Sequence, residues 1–288
     1  MPIPVLEDLE TWARRLRDDW IVKPIVRSRL VKRSAYLDID IAVVDAGDHF
    51  IAFDPNDPVI GRQLRTVRNW ERAAFDAVVD VAKAHTDIRN KTFVDVGANI
   101  GTQTVYALLA GFARAVSIEP VPANLRCLRL NAMLNDYSER IVIVPQAAGA
   151  APGRLELSLD ATNSGGHSLA IAKQTDGKKI EVAVERTDDV LARLGIDTRD
   201  VGLLWIDVEG YEPQAIAGAT RLIEARTPLA LEFTPQAYGR EAAGVLINLL
   251  ASHYRQWAMA GKTEITLRPT SELSLAALPD GQLDLLFL

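Results

Sequence analysis

A strand, a glycine-containing turn and a helix follow one another over residues 92–110, and they constrain the fold more than any other stretch. Residues 92–96 read TFVDV, a short run rich in β-forming residues that predicts a buried strand. The turn contains Gly97 and Gly101, and residues 103–110 predict a helix packed on the sheet. Glycine lets the backbone approach a ligand that a side chain would exclude. This order is typical of the nucleotide-binding start of a doubly wound α/β fold.

The residues around the turn distinguish between classes of nucleotide. A dinucleotide fingerprint, GxGxxG, has a glycine at the middle position, where this chain has Asn99. No Gly-Lys-Ser/Thr triplet directly follows the turn, so the stretch is not a P-loop. Asp95 lies within the strand, and Glu119 ends a second apolar run 24 residues later. A carboxylate at Glu119 can accept the ribose hydroxyls of an adenosine.

Asp95 suits a cationic group, such as the ammonium of S-adenosylmethionine, better than a phosphate. The alternative is that Asp95 caps the following helix and that Glu119 is an ordinary loop acid. An NAD-linked oxidoreductase and a non-catalytic nucleotide-binding module are further alternatives. The oxidoreductase is disfavoured by Asn99, which stands where that fingerprint needs glycine.

Composition narrows the remaining classes. The chain has 288 residues, 48% of them hydrophobic, which is enough for the core of one large domain with an N-terminal extension. A net charge of −6 gives no electrostatic support for nucleic-acid binding, so no nucleic-acid partner is predicted. The single cysteine, Cys127, excludes an internal disulfide and a cysteine-based zinc cluster, and it is predicted to be buried. Without a signal-peptide pattern or a long apolar stretch, we predict a cytoplasmic protein that does not contact membranes. The sequence gives no indication of oligomeric state.

The other segments predict alternating strands and helices. Ahead of the glycine turn we expect a helix over residues 6–20, a basic stretch up to Arg33, a small β element and one long helix over residues 59–84. After it, the order is mostly βαβα, which predicts a parallel sheet flanked by helices. The predicted elements include a helix from just after Gly210 to about residue 225, a helix over residues 244–253 and a closing strand over residues 264–268. Residues 154–159 and 180–184 alternate strictly and predict a solvent-facing antiparallel pair.

A second buried strand ends in acidic residues. Residues 201–210 read VGLLWIDVEG, so Asp207 and Glu209 flank Val208 just before Gly210. In an extended strand, residues 207 and 209 point the same way and face one pocket. Two close acids raise one another's pKa, which suits a general base. The alternative is that some of these acids cap the next helix or hold loops together.

One histidine and a possible metal site complete the candidates for catalysis. His167 lies in a polar, glycine-rich loop over residues 163–168 that is able to close over a substrate. A lone loop histidine can also be incidental, so its role is that of a less favoured assistant. Carboxylate clusters also bind divalent cations, but no spacing here demands one, and no metal is predicted.

Three motifs together resemble the FkbM-type S-adenosylmethionine-dependent methyltransferases. They are DVGANIG at residues 95–101, IEP at 118–120 and IDVEGYE at 206–212. The resemblance covers residues 57–234 and implies a class I methyltransferase fold, a seven-stranded sheet whose last strand is antiparallel. It also implies S-adenosylmethionine as cofactor and methylation of a hydroxyl on a small molecule, a sugar or glycan, or a secondary metabolite.

The motifs and the resemblance together predict the domains and the site. Residues 1–56 are an extension and residues 57–288 the cofactor-binding domain, with an inserted β-hairpin. The predicted catalytic residues are Asp207, Glu209 and His167. The predicted cofactor-binding residues are Glu71, Asp95, Gly97, Asn99, Gly101, Glu119, Pro120, Asn124, Ala147 and Asp207.

Overall fold

A computed structural model describes most of the chain. The described ranges are 28–31, 41–160, 167–168, 179–260 and 264–288. The predicted helix over residues 6–20 and most of the basic stretch that ends at Arg33 lie outside the described residues.

A small antiparallel sheet precedes the main fold. It has the order β1 (Ser28–Val31), β2 (Ile41–Asp45), β3 (Phe50–Phe53). The side chains of Ile51 and Phe53 are buried together with apolar residues of the main fold. The small sheet therefore contributes to the main core, and the division of domains at residue 57 stays a prediction.

The segment predicted as one helix over residues 59–84 forms two helices. They are α1 (Ile60–Val67) and α2 (Arg72–His85). Arg68 and Glu71 between them both have left-handed backbone, with φ of 61° and 52°. A left-handed residue cannot continue a right-handed helix, so the helical hydrogen bonds stop there. The break takes Glu71 off the helix surface and determines where its side chain lies.

The remaining elements alternate between strands and helices. The strands are β4 (Thr92–Val96), β5 (Arg114–Ile118), β6 (Ile141–Val144), β7 (Ala147–Ala148), β8 (Gly153–Ser158), β9 (Lys179–Glu185), β10 (Val201–Ile206), β11 (Leu229–Phe233), β12 (Gln256–Met259), β13 (Arg268–Pro269) and β14 (Leu283–Phe287). The helices are α3 (Thr102–Ala110), α4 (Pro122–Leu134), α5 (Thr187–Arg193), α6 (Glu212–Ala217), α7 (Thr220–Glu224) and α8 (Pro235–His253).

The central sheet confirms the predicted α/β fold. Its order is β13-β12-β14-β11-β10-β4-β5-β6, and β4, β5, β6, β10 and β11 run parallel to one another. Strand β14 is antiparallel to both of its neighbours, as expected for the last strand. The sheet has eight strands where seven were predicted, because the two residues of β13 add a short edge strand. The inserted hairpin is also present, formed by the antiparallel pair β8 and β9, with β7 beside β9.

Helices cover both faces of the central sheet, and their boundaries differ from the prediction in two places. The helix predicted after Gly210 is divided into α6 and α7, because Ala219 between them has non-helical backbone, with φ of −118° and ψ of 29°. Helix α8 begins nine residues before the predicted start at Gly244 and is kinked at Gly239, whose φ is 82°. Among the described helices, none has the length and apolar character needed to cross a bilayer. The predicted cytoplasmic location stays a prediction.

Two asparagines of α4 join the small sheet to the central fold. The Asn131 side chain accepts from the Ala52 N–H (2.5 Å) and donates to the carbonyl oxygens of Ala52 (3.1 Å) and Ile100 (2.7 Å). Asn135 binds both backbone groups of Phe50, each at 2.8 Å. These amides fix the position of the small sheet relative to the central fold. Any shift would leave buried backbone N–H or carbonyl groups without a hydrogen bond, which is energetically costly. Cys127 on the same helix is buried, and burial raises the pKa of its thiol to about 12.

Candidate functional site

The carboxyl ends of four parallel strands meet at one edge of the sheet. The register aligns one row of residues across β5, β4, β10 and β11, namely Ile118, Val96, Ile206 and Leu231. The residues that come next in each strand are Glu119, Gly97, Asp207 and Glu232. Ligands of open α/β sheets bind outside this edge. Three acids and one glycine therefore face the region where a ligand is expected.

The glycine turn approaches β10 closely. Gly97 has left-handed backbone (φ 86°), and a Cβ there would overlap the backbone carbonyl oxygen of Asp207. The Asp207 N–H donates to the Val96 carbonyl (2.9 Å), which holds the two strand ends together. Gly101 (φ 83°) lies against Leu128 of α4, whose Cδ1 a Cβ would overlap. Both positions need glycine, the first for strand contact and the second for helix packing.

Asp95 is buried beneath the turn. One of its carboxylate oxygens accepts a hydrogen bond from the Thr104 hydroxyl at 2.5 Å, and the Thr104 and Ser117 hydroxyls are 2.7 Å apart. Burial raises the pKa of Asp95 to about 7, although the hydroxyl and N–H of Thr104 oppose that rise. Asp95 is thus held by α3 and still lines the cavity.

Glu119 is held by the loop that it faces. Its carboxylate accepts hydrogen bonds from the N–H of Asn99 (2.9 Å) and of Val121 (2.8 Å), and from the Asn124 amide (3.4 Å). Burial raises the pKa of Glu119 to about 7, and these three donors oppose the rise. The left-handed backbone of Asn99 (φ 50°) points its N–H at the acid. The carboxylate is therefore fixed in position before any ligand binds.

The acidic turn after β10 is organised differently from the prediction. The strand ends at Ile206, and Glu209 has left-handed backbone (φ 50°), so the two acids converge through a turn and not through strand alternation. Glu212, fully buried, accepts from the Gly210 N–H at 2.7 Å and so stabilises the turn. The Ser168 hydroxyl donates to the Glu209 carbonyl at 2.7 Å. The turn is thus held from the helix side and from the hairpin side.

Three carboxylates meet at this edge of the sheet. Oxygen atoms of Asp207, Glu209 and Glu232 all lie within 4.8 Å of one another. Gln282 on the antiparallel side of β11 donates its amide N–H to Glu232. Burial raises the pKa of Asp207 well above its usual range, and the charge of Glu209 adds to this. Burial is also the largest cause of the raised pKa of Glu232, and the negative charges of Asp207 and Glu209 raise it further. When one of the two carboxyl groups is protonated, a hydrogen bond between them lowers the pKa of Asp207 and raises that of Glu232.

Two further acids surround this group. Glu71, in the break between α1 and α2, has its pKa raised to about 7 by burial and by the charges of Asp284 and Glu209. Asp284 is paired with Glu232 across β11 and β14, and burial raises its pKa. The edge of the cavity near β10 and β11 is consequently strongly acidic.

His167 faces the same cavity from the hairpin loop. Its Nδ1 accepts a hydrogen bond from the Asp160 N–H at 2.9 Å. A neutral imidazole has one donor and one acceptor nitrogen, so this bond leaves the proton on Nε2. In that form the other nitrogen donates and cannot take a proton. The part of the loop over residues 163–166 lies outside the described residues.

One cavity of about 350 Å³ is lined by most of the predicted site residues. The predicted residues along its wall are Glu71, Asp95, Gly97, Asn99, Glu119, Pro120, Asn124, Ala147, His167, Asp207 and Glu209. Gly101 is not among the lining residues. Trp205, Tyr211 and Gln282 also line the cavity and were not predicted as site residues, although Tyr211 lies in the IDVEGYE motif. Trp205 lies inside the apolar strand run and Gln282 in a terminal segment, so neither carries a recognisable motif.

The cavity fits a ligand with an adenosine and a cationic group. The Asn99 side-chain oxygen is buried without a hydrogen-bond partner in the described structure, so a ligand donor would satisfy it. Glu119 is fixed to receive hydroxyl donors, and Asp95 contributes a carboxyl group under the glycine turn. The volume lies within the usual range of small-molecule sites, about 300–1,000 Å³.

Comparison with family models matches this region to one domain. The model of the methyltransferase FkbM domain matches residues 95–258, from Asp95 in β4 to β12. The match includes the glycine turn, the acid after β5 and the acidic turn after β10.

Comparisons with individual proteins find methyltransferases. A ribosomal protein L11 methyltransferase from Pectobacterium carotovorum subsp. carotovorum is 30% identical over 125 residues, which is 37% of this chain and 42% of that protein. The chain thus spans less than half the length of this curated relative. Similar solved structures include M. jannaschii TYW2 in complex with AdoMet (10% identity, 90% of each chain, TM-score 0.44). They also include the M. jannaschii tRNA m1G37 methyltransferase (10% identity, 90% of this chain and 57% of that one, TM-score 0.42).

The prediction that nucleic acid is excluded as a partner is wrong. A ribosomal protein L11 methyltransferase is among the proteins that the chain resembles in sequence. The physical reason is that a net charge of −6 is a sum over the whole chain. A sum of this size does not determine the sign of the potential at any one surface.

Proposed function

The chain belongs to the FkbM methyltransferase family, with S-adenosylmethionine as its cofactor, and we propose that it transfers the methyl group to a hydroxyl oxygen. The acceptor hydroxyl belongs to a small molecule or a sugar unit, free or carried on a larger molecule. The observation that carries this proposal is the convergence of Asp207, Glu209 and Glu232 at the cavity wall. An alcohol is a poor nucleophile while protonated, so a nearby carboxylate base assists it.

The chain's own residues divide into a cofactor side and an acceptor side. Glu119 and Asn99 would hold the ribose, and Asp95 beside Gly97 would hold the cationic amino-acid part. The bound cofactor supplies a methyl group on a positively charged sulfur, which leaves as a neutral thioether. The leaving group needs no acid, so the protein's tasks are to align the reacting atoms and to receive one proton.

Asp207 and Glu209 perform the acceptor-side tasks in this proposal. Both lie at the end of β10, directly beside the glycine turn that approaches the cofactor. One carboxylate accepts the hydroxyl proton while the other orients the hydroxyl by a hydrogen bond. His167 assists as a donor through Nε2, since its Nδ1 is already occupied. The oxidoreductase alternative is set aside because the family is one of methyltransferases.

A labelled-methyl screen tests the proposal. The full chain is incubated with S-adenosylmethionine labelled in its methyl group, together with metabolite, glycan, protein and RNA fractions. The expected product carries the label on an oxygen atom, identified by fragmentation and by the proton chemical shift of the methyl group. Label on nitrogen or carbon would overturn the assignment to oxygen and leave the family assignment intact.

Glu119→Gln is expected to weaken S-adenosylhomocysteine binding by roughly tenfold or more, since hydrogen bonds to a charged group contribute about 1.5–3 kcal/mol. The ionised carboxylate accepts two hydroxyl donors better than the protonated acid does. The pKa of this group is raised to about 7, so affinity should fall as the pH drops through that value. Calorimetry across this range should show a steeper fall in the natural protein than in the variant, where Asp95, whose pKa is also about 7, is the remaining titrating group.

Glu139→Gln, at an exposed position, is the matched control and should bind normally with the natural pH profile. Unchanged affinity in Glu119→Gln would show that Glu119 does not hold the ribose.

A further inference from the structure

The carboxylates of Asp207, Glu209 and Glu232 are called here the acidic trio, and two of them, Asp207 and Glu232, have no positive side chain beside them in the described part of the chain. Neither Asp207 nor Glu232 forms an ion pair with a lysine or an arginine in the described part of the chain. The charges that act on these two groups come from other acids, including Glu71 and Glu212. Like charges in such proximity repel and raise the free energy of the folded state.

Glu232 provides a second and separate observation. Its side chain is only 9% exposed, and when both Asp207 and Glu232 are ionised its Oε2 has no hydrogen-bond donor among the described residues. The other oxygen already accepts from Gln282, which fixes the direction of the carboxylate. A buried carboxylate oxygen without a partner is costly, so a native protein that retains one usually supplies a ligand for it. Glu232 lines the cavity, and one of its carboxylate oxygens lies within the trio.

The spacing of the trio matches a small, hard cation. Mg²⁺ binds oxygen ligands at about 2.1 Å and Ca²⁺ at about 2.4 Å, so two ligands of one ion lie at most about 4.2–4.8 Å apart. The trio's oxygens all lie within 4.8 Å of one another. Carboxylate oxygens without nitrogen or sulfur ligands suit Mg²⁺, Mn²⁺ or Ca²⁺.

We propose that the acidic trio binds one divalent cation of the Mg²⁺, Mn²⁺ or Ca²⁺ class, and that the cation takes the acceptor hydroxyl as a further ligand. The second part rests on the proposed function. The cation lowers the pKa of the hydroxyl by stabilising the alkoxide. The hydroxyl O–H bond breaks, its proton passes to a free oxygen of Asp207 and then to water, the new O–CH₃ bond forms, and the S–CH₃ bond breaks to leave a neutral thioether.

Titration of the full chain with Mn²⁺ in the presence of S-adenosylhomocysteine tests the site without any acceptor. Free Mn²⁺ is measured by its electron paramagnetic resonance signal. One ion per chain is expected, with Glu209→Gln and Glu232→Gln each at least tenfold weaker, because the affinity of such sites follows ligand charge. Glu181→Gln, on the exposed hairpin, is the control and should bind Mn²⁺ as the natural protein does.

The variants are compared by thermal melting and by S-adenosylhomocysteine affinity, so a loss of Mn²⁺ binding in a folded, cofactor-binding variant supports the site. No Mn²⁺ binding at millimolar concentration, or equal binding by natural protein and both trio variants, would overturn it. In that case the trio shares a proton or receives a cationic group of the acceptor. Methyl transfer that survives EDTA would overturn the cation's catalytic role and leave the methyltransferase proposal standing, so the two failures are distinguishable.

Discussion

Asp207→Asn is expected to lower single-turnover methyl transfer by about a hundredfold or more, the range of general-base catalysis, with little change in cofactor affinity. The amide keeps the shape of the side chain and removes the charge that receives the hydroxyl proton. Asp207 was predicted to bind the cofactor as well as to act in catalysis, and this measurement separates the two roles. The rate is measured at saturating S-adenosylmethionine and Mg²⁺ with the acceptor found in the labelled-methyl screen, and the affinity by calorimetry.

Glu209→Gln should give a loss of similar size, because the two side chains act on one hydroxyl. Asp200→Asn is the matched control, since Asp200 is exposed and directly precedes the opposite end of β10. It should have the natural rate and stability. Near-normal rates in both Asp207→Asn and Glu209→Gln would mean that alignment alone carries the reaction and that these acids are structural.

Gly97→Ala is expected to destabilise the protein by about 3 kcal/mol and to lower its melting temperature by roughly 6–12 °C. A left-handed alanine costs about 1–2 kcal/mol. The new methyl group also overlaps the Asp207 carbonyl, and overpacking of this kind costs about 1–3 kcal/mol. The ends of β4 and β10 must separate to accommodate it, so the variant should also lose most of its cofactor affinity.

Gly111→Ala separates the two contributions. Gly111 ends α3 with φ of 109°, and nothing lies within 4 Å of the position that its Cβ would occupy. It should therefore show the backbone cost alone, about 1–2 kcal/mol, with normal cofactor binding. Calorimetric unfolding of both variants gives the comparison. An equal loss of stability in the two would show that the contact with Asp207 is not what requires glycine at position 97.

Local patterns were sufficient to locate the strand ends. Asp95, Glu119 and Asp207 each lie in or directly after a short apolar run, and such runs identify buried strands. Parallel strands place their carboxyl ends along one edge, so the sequence predicted that these acids would lie near each other. The structure places all three along one cavity. Their assigned roles stay predictions.

The left-handed backbone conformations of non-glycine residues near the site could not be predicted from the sequence. Glu71 reaches the cavity because Arg68 and Glu71 adopt left-handed backbone, and neither residue type indicates that conformation. The same holds for Glu209, whose left-handed backbone replaces the expected strand alternation. Such conformations are imposed by the surrounding tertiary packing, which a local sequence pattern does not contain.

Contacts between β11 and the antiparallel strand β14 could not be predicted from local sequence patterns either. Gln282 meets Glu232 although the two are 50 residues apart, and only the pairing of β14 with β11 brings them together. A strand was predicted over residues 264–268, but the structure has only the two-residue β13. This strand lies at the sheet edge, where a neighbour on one side only stabilises a longer strand less.

From the hydrogen bonds made by Asn131 we expect the following order of folding. Ala52 precedes Asn131 by 79 residues, so β2 and β3 leave the ribosome well before the helix that satisfies them. Two or three short strands alone are marginal in water. The small sheet therefore becomes stable only when α4 docks, and the same amide then closes on the Ile100 carbonyl in the glycine turn. The amino-terminal strands and the loop that meets the cofactor thus become ordered in one step, and neither is complete in a chain that stops before α4.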